Sequence, residues 1–260
     1  MRLSPFGPLD RWRAPAPSPE RVGWLRSATF AHRGLHGVGG EGPIENSPTA
    51  FADAIARGLG IECDVQRSAD GQAMVFHDWT LERLTAATGP VVEKSAEELG
   101  SLRLGKSADT IFTLPQLLDL VGGRVPLLIE IKSRRDVRFA PLCLAVRSAL
   151  EGYRGPVAVM SFDPRVCAWF ARHNAHIVRG LVVTEEGHRG RAGRLRRQLS
   201  LWAARPDFLA YDVRDLPSRF AAAQRKRGLP LLTWTVRSPE LAARAALHAD
   251  APIAEGAGIR

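Results

Sequence analysis

From Ala28 onward, short apolar runs alternate with stretches whose apolar positions recur every three to four residues. That alternation of strand and helix is the pattern of a parallel sheet with helical crossovers. Strands are predicted at residues 28–31, 61–65, 73–76, 126–131, 157–161, 177–183, 208–213, 231–236 and 252–254. Helices are predicted at 48–57, 114–122, 142–153, 164–173, 218–227 and 239–247. Ser47-Pro48 and Asp163-Pro164 each supply a capping side chain and a first-turn proline, while Gly58 and Gly122-Gly123 stop their helices. The 48–57 helix carries Phe51, Ala54 and Ile55 on one face.

The fold class these elements predict is α/β, a (β/α)8 TIM barrel in a single domain over residues 28–260. It is preceded by a Pro/Arg-rich N-terminal arm over 1–27 that lies on the domain or is partly loose. The strands number one more than the barrel needs, so either 73–76 or one of the last two falls outside the ring. Asp70-Gly71 is a turn signal. A tight antiparallel hairpin there would carry His77 to the far end from Glu62 and Asp64. The expectation is instead a helix-free return over 66–72, reaching at most ~3.5 Å per residue, that keeps His77 at the same mouth.

The chemistry concentrates between Ala31 and Asp78, where His32, Arg33, Glu45, Asn46, Glu62, Asp64 and His77 fall near strand ends. In Ile61-Glu62-Cys63-Asp64-Val65 the period of 2 places Glu62 and Asp64 on one side and Cys63 with the apolar packing. Two inward carboxylates repel unless a proton or a cation lies between them. Glu130 and Lys132 share a face of a second run, apolar enough to be buried on both sides. Converging hard oxygens suit Mg²⁺ or Ca²⁺, which points to one divalent cation beside a phosphate-holding Arg33 and Lys132. Gly34, Gly37, Gly39, Gly40 and Gly42 form a flexible loop after His32. Asp78 either orients His77 or caps the following turn, and Asn46 is a neighbour of the helix cap.

At 260 residues, with 45% hydrophobic and 24% charged content, the chain is that of an ordinary globular protein with a substantial core. The apolar runs are too short to span a bilayer, and the N-terminus shows no apolar signal region. Three scattered cysteines without CxxC spacing argue against disulfides and zinc, and for a reduced, cytoplasmic setting. The formal charge of +9, from 36 Lys+Arg against 27 Asp+Glu, favours anionic partners without choosing among them. The stretch from Arg189 to Arg197 reads as a solvated helix face. It has no interleaved aromatics, so no nucleic acid is expected, and membrane contact is a minority reading.

AHRG, IENS, ECDV, FHD, EIK, SFDP and WTV, in that order over roughly residues 28–236, resemble the glycerophosphodiester phosphodiesterase family. The resemblance implies a (β/α)8 barrel that hydrolyses small glycerophosphodiesters to sn-glycerol 3-phosphate and an alcohol with a divalent cation. It implies metal ligation by Glu62, Asp64 and Glu130, and His32 and His77 as the acid–base pair. Glu45 is drawn towards the metal or the phosphate, and Trp234 either stacks on the leaving group or packs. The chain departs from the family at its C-terminal signature, where Pro252-Ile253-Ala254-Glu255-Gly256 replaces a GIITD-like strand and Glu255 stands in for the aspartate. The short stretch between His77 and Glu130 leaves no room for an inserted domain. Two other readings are a lysophospholipase-D-like or lyase activity on phospholipid head groups, and a non-catalytic basic barrel on anionic membrane or nucleic acid.

Overall fold

The structure, a computed structural model, describes residues 6–37, 42–134 and 138–259. Positions 1–5 of the arm and Gly39 and Gly40 of the glycine loop lie outside them. Two short helices, α1 (Gly7–Arg13) and α2 (Pro19–Val22), come first. They are followed by β1 (Phe30–His32), α3 (Pro48–Ala56), β2 (Gly60–Arg67), β3 (Ala73–Val75), α4 (Ala96–Ser101), α5 (Leu114–Val121) and β4 (Leu127–Ile131). Next are α6 (Ala140–Ala149), β5 (Val157–Ser161), α7 (Pro164–His173), β6 (Val178–Val183) and α8 (Arg191–Ala204). The chain ends with β7 (Phe208–Asp212), α9 (Arg219–Lys226), β8 (Leu231–Val236), α10 (Pro239–His248) and β9 (Ala251–Ala254).

The strand order is β1-β9-β8-β7-β6-β5-β4-β2-β3, and β1 also pairs with β2. Eight strands therefore close on themselves as a (β/α)8 barrel, despite the unusual C-terminal signature. The extra strand is β3, whose neighbour among the named strands is β2 and which also bridges Thr113 through Met74. Residues Phe30–Val157 pack as one compact unit, and Met1–Thr29 with Ala158–Arg260 as a second.

In the first unit β2 is buried on both faces: Ile61, Cys63 and Val65 are fully inaccessible, and so, to 1%, are Glu62 and Asp64. β2 runs parallel to β1 and β4, placing Glu62 opposite His32 and Asp64 opposite Glu130. The helices around it start where capping chemistry says they should. Ser47 accepts from Ala50 N, and Thr113 and Gln116 form a reciprocal capping box on α5. Such caps contribute about 1 kcal/mol each. A satellite core of Met74, Phe76, Leu81, Val91, Leu99, Leu104 and Ile111 supports the irregular segment after β3.

The return from β2 differs from expectation. β2 and β3 form an antiparallel pair, Val65 with Val75 and Arg67 with Ala73. β2 is longer than predicted and carries the turn past Asp64. The returning chain then descends to the site, and Phe76 N donates to Asp64 O at 3.0 Å. His77 is brought back to the level of the carboxylates by the hairpin that seemed to forbid it.

In the second unit the arm is pinned by Asp10, a fully buried carboxylate. It accepts from Gln198 at 2.5 Å, Trp202 at 2.8 Å and Gln224 at 3.1 Å. Of the arginines on α8, Arg191, Arg194 and Arg196 are exposed, as expected of a solvated face. Arg197 is not: it is 8% exposed and pairs with Glu185 at 2.9 Å. None of the three cysteines forms a disulfide, and all are buried. Among the described residues no helix is long and apolar enough to cross a membrane.

Candidate active site

The site is built from β1, β2, β4 and the loops that follow them, all in the first unit. The strand pleat sends Glu62 and Asp64 to one face of β2, and the parallel register sets Glu130 beside them. Ligand oxygens of Glu62, Asp64 and Glu130 all lie within 4.8 Å of one another. Lys132, on the same face as Glu130, places Nζ 2.9 Å from Asp64 Oδ1 and 2.9 Å from Glu130 Oε1.

Charge in so small and dry a volume redistributes protons. Burial, then the neighbouring charges of Asp64 and Glu130, raise the Glu62 carboxyl well above its usual range. Burial pushes Asp64 the same way, yet Lys132, Arg33, His77 and His32 outweigh it and hold Asp64 well below that range. The Lys132 ammonium loses solvation, but Asp64 and Glu130 more than compensate and keep it charged. Cys63, on the opposite face, is raised by burial and kept as a thiol.

The loop after β1 is shaped for this cluster. Arg33 has φ +55 and Gly34 φ +80, and a Cβ on Gly34 would lie 2.9 Å from the Ala50 carbonyl carbon. This tight turn directs Arg33 N to Glu62 Oε2 at 3.2 Å and Arg33 Nη1 to Glu45 Oε1 at 2.7 Å. Arg33 Nε lies 3.3 Å from Asp64 Oδ2, although the angle is not that of a hydrogen bond and the atom is buried without a partner. His32 Nε2 stands 3.9 Å from Glu62 Oε2. Asn46, also left-handed at φ +57, donates to Asp64 Oδ2 at 3.0 Å and accepts from Asp64 N at 3.3 Å. It is a clamp on Asp64 and not merely a neighbour of the cap.

His77 Nδ1 lies 2.7 Å from Asp78 Oδ1, so the carboxylate orients the ring and leaves Nε2 available. Of the two roles considered for Asp78, orientation is the one observed. Two residues emerge that sequence reasoning did not single out. Arg83 grips Asp78 through Nε and Nη2 and Glu45 through Nη1 at 2.9 Å and Nη2 at 2.7 Å. Gln66 donates to the carbonyls of Phe76 and Asp78 and so holds the returning chain. Gln66 follows Glu62 and Asp64 at the strand period and was open to detection; Arg83 lies in a segment without periodicity. Glu45 touches Arg33 and Arg83. Trp234 lies on β8 in the other unit, where its indole N–H donates to Ala210 O at 3.0 Å and its ring meets Phe162 edge-on at 5.4 Å.

This arrangement collects hard oxygen donors, two charge-bearing cations and two imidazoles, the equipment for chemistry on a phosphate ester. Comparison with known proteins places it. A curated glycerophosphodiester phosphodiesterase from Bacillus altitudinis is 32% identical over 169 residues, covering 61% of this chain and 67% of that protein. A glycerophosphoryl diester phosphodiesterase from Silicibacter pomeroyi, described as putative, superposes with a TM-score of 0.75 at 24% identity, over 87% of this chain and 89% of that one. An Oleispira antarctica phosphodiesterase solved with the product sn-glycerol-3-phosphate does so with a TM-score of 0.75 at 22% identity, over 87% and 92%. The sequence profile of the glycerophosphoryl diester phosphodiesterase family matches residues 32–253, and the chain belongs to that family.

Proposed function

We propose that this protein hydrolyses small glycerophosphodiesters to sn-glycerol 3-phosphate and an alcohol, with one divalent cation, Mg²⁺ or Ca²⁺. The observation that carries the reading is the meeting of Glu62, Asp64 and Glu130 within 4.8 Å. The donor set fits such an ion: three hard oxygens from three carboxylates, with the Lys132 ammonium drawn onto two of them. Glu62, Asp64 and Glu130 would hold it, and when bound it supplies positive charge that polarises the phosphoryl group.

The chain's own side chains do the rest. Arg33 and Lys132 are fixed in number and charge by their carboxylate partners and offset the charge of the diester. His77 is held through Nδ1 by Asp78, so its Nε2 gives or takes one proton. His32, across from Glu62 in the β1–β2 register, handles the other. Glu45 acts by positioning Arg33. The catalytic domain is taken as 28–260 with 1–27 as its arm, and the setting as cytoplasmic. Occupancy of the Oleispira antarctica relative by sn-glycerol-3-phosphate supports the choice of substrate.

The test is enzymatic release of glycerol 3-phosphate from a panel of glycerophosphodiesters, after chelation and with Mg²⁺ or Ca²⁺ restored. Release that needs the cation and is lost in His32→Ala and His77→Ala is expected. Release indifferent to EDTA overturns the metal assignment, and no release from any diester overturns the activity.

A further inference from the structure

A groove opens beside Lys132, and its described lining residues carry charge of one sign. Arg67, Arg134 and Arg138 line it together with Lys132, Trp79 and Phe139, and among the described residues no carboxylate lines it. Arg67 ends β2, so the groove starts on the strand that bears Glu62 and Asp64. Its Nε is buried and has no hydrogen-bond partner. Lys132 belongs to both places: its Nζ is 2.9 Å from Asp64 Oδ1 and Glu130 Oε1. The groove therefore leads directly from the reacting centre.

The aromatic ring at its rim decides against one class of occupant. Trp79 is 38% exposed, and an open indole face beside such a site is what a quaternary ammonium would use. Here the Arg134 guanidinium lies over that ring, 5.2 Å from its centroid. A choline or ethanolamine group would have to displace one cation and lie among others. An anion meets the opposite situation, because planar guanidinium forks match phosphate oxygens two at a time. A phosphate monoester, at roughly −1.5 to −2 charges near neutral pH, answers several arginines better than a carboxylate does.

We infer that this groove receives the leaving alcohol and selects a glycerophosphodiester whose alcohol bears a second phosphate. The inference rests on the hydrolytic reading above and adds the substrate class to it. Arg67, Arg134 and Arg138 determine specificity here.

The experiment compares kcat/KM for glycerophosphoglycerol phosphate, glycerophosphoglycerol and glycerophosphocholine with the full chain. The phosphate-bearing ester is favoured over the neutral one by about tenfold or more, each tenfold being ~1.4 kcal/mol of differential binding. The choline ester comes last. In Arg134→Gln, and independently in the charge reversal Arg138→Glu, the ratio of phosphate-bearing to neutral ester collapses towards one, while Arg134→Lys keeps most of it. Both arginines are exposed, so folding survives the change. Cleavage of the choline ester as fast as the phosphate-bearing one, with ratios the variants do not move, overturns the inference and leaves the hydrolytic reading intact. Failure to cleave any of the three overturns both.

Discussion

Asp64 lies directly across from Glu130 in the parallel β2–β4 ladder, and the Lys132 ammonium bridges them. Two buried carboxylates at adjacent positions repel strongly, and a single ammonium offsets only part of that repulsion while Glu62 adds a third acid. Asp64→Asn keeps the shape and removes one charge. Cation affinity, read by calorimetry, is expected to fall at least about tenfold, with a larger loss of turnover at saturating cation. Undiminished affinity would remove Asp64 from the proposed ligand set.

Arg83 ties the His77 partner Asp78 to the Arg33 partner Glu45. Its hydrogen bonds to these two carboxylates are the largest influence on the guanidinium and raise it further above its already high range. Removing it leaves Asp78 and Glu45 less neutralised and lets the His77 ring reorient. Arg83→Gln is expected to lower kcat about tenfold or more with a smaller effect on KM, and to move the pH–rate profile. Arg83→Lys keeps the charge but not the fork and recovers part of kcat. Equal losses in both variants, with an unchanged pH profile, would make Arg83 a structural residue only.

Acid stability offers an independent reading of the same contacts. Burial pulls the Asp78 carboxyl up, but hydrogen bonds from Arg83 and His77 win and hold it at about 2, against an ordinary value of 3.8. A carboxyl lowered on folding stabilises the native state above 3.8, and that contribution is lost as the pH falls through about 2. Asp78 is substantially solvated, so the effect is small. Urea midpoints of the protein and of Asp78→Asn, measured from pH 5 down to pH 2, are expected to converge at the acid end. A constant difference across the range would show that Asp78 carries no linked charge.

What could be read in advance follows physical lines. The period of β2 set Glu62 and Asp64 on one face whatever the fold around them, and the caps at Ser47 and Asp163 announced α3 and α7. The length of β2 was missed because Gln66 and Arg67 are polar and look like the start of a loop, although Gln66 keeps the strand period. That underestimate made the hairpin seem incompatible with His77 at the mouth. The segment holding Arg83 packs through irregular chain onto Leu81, Val91 and Leu104, which leaves no periodic trace. The left-handed backbone at Arg33 and Asn46 likewise carries no pattern of its own, since only the folded loop imposes it.

Asn46 separates two roles that a single substitution would confuse. Its backbone sits at φ +57, a region asparagine tolerates better than alanine, and its amide clamps Asp64 from both sides. Asn46→Ala loses the tolerance and both hydrogen bonds, and is expected to destabilise the protein by about 2–4 kcal/mol in denaturant titrations. Asn46→Gly restores the backbone freedom alone, so it should recover about 1 kcal/mol of that loss. Turnover behaves differently, because both variants leave Asp64 without its clamp. The two should lose kcat to a similar degree despite their unequal stability. If Asn46→Gly regained activity in step with stability, the side chain would be serving the turn and not the carboxylate.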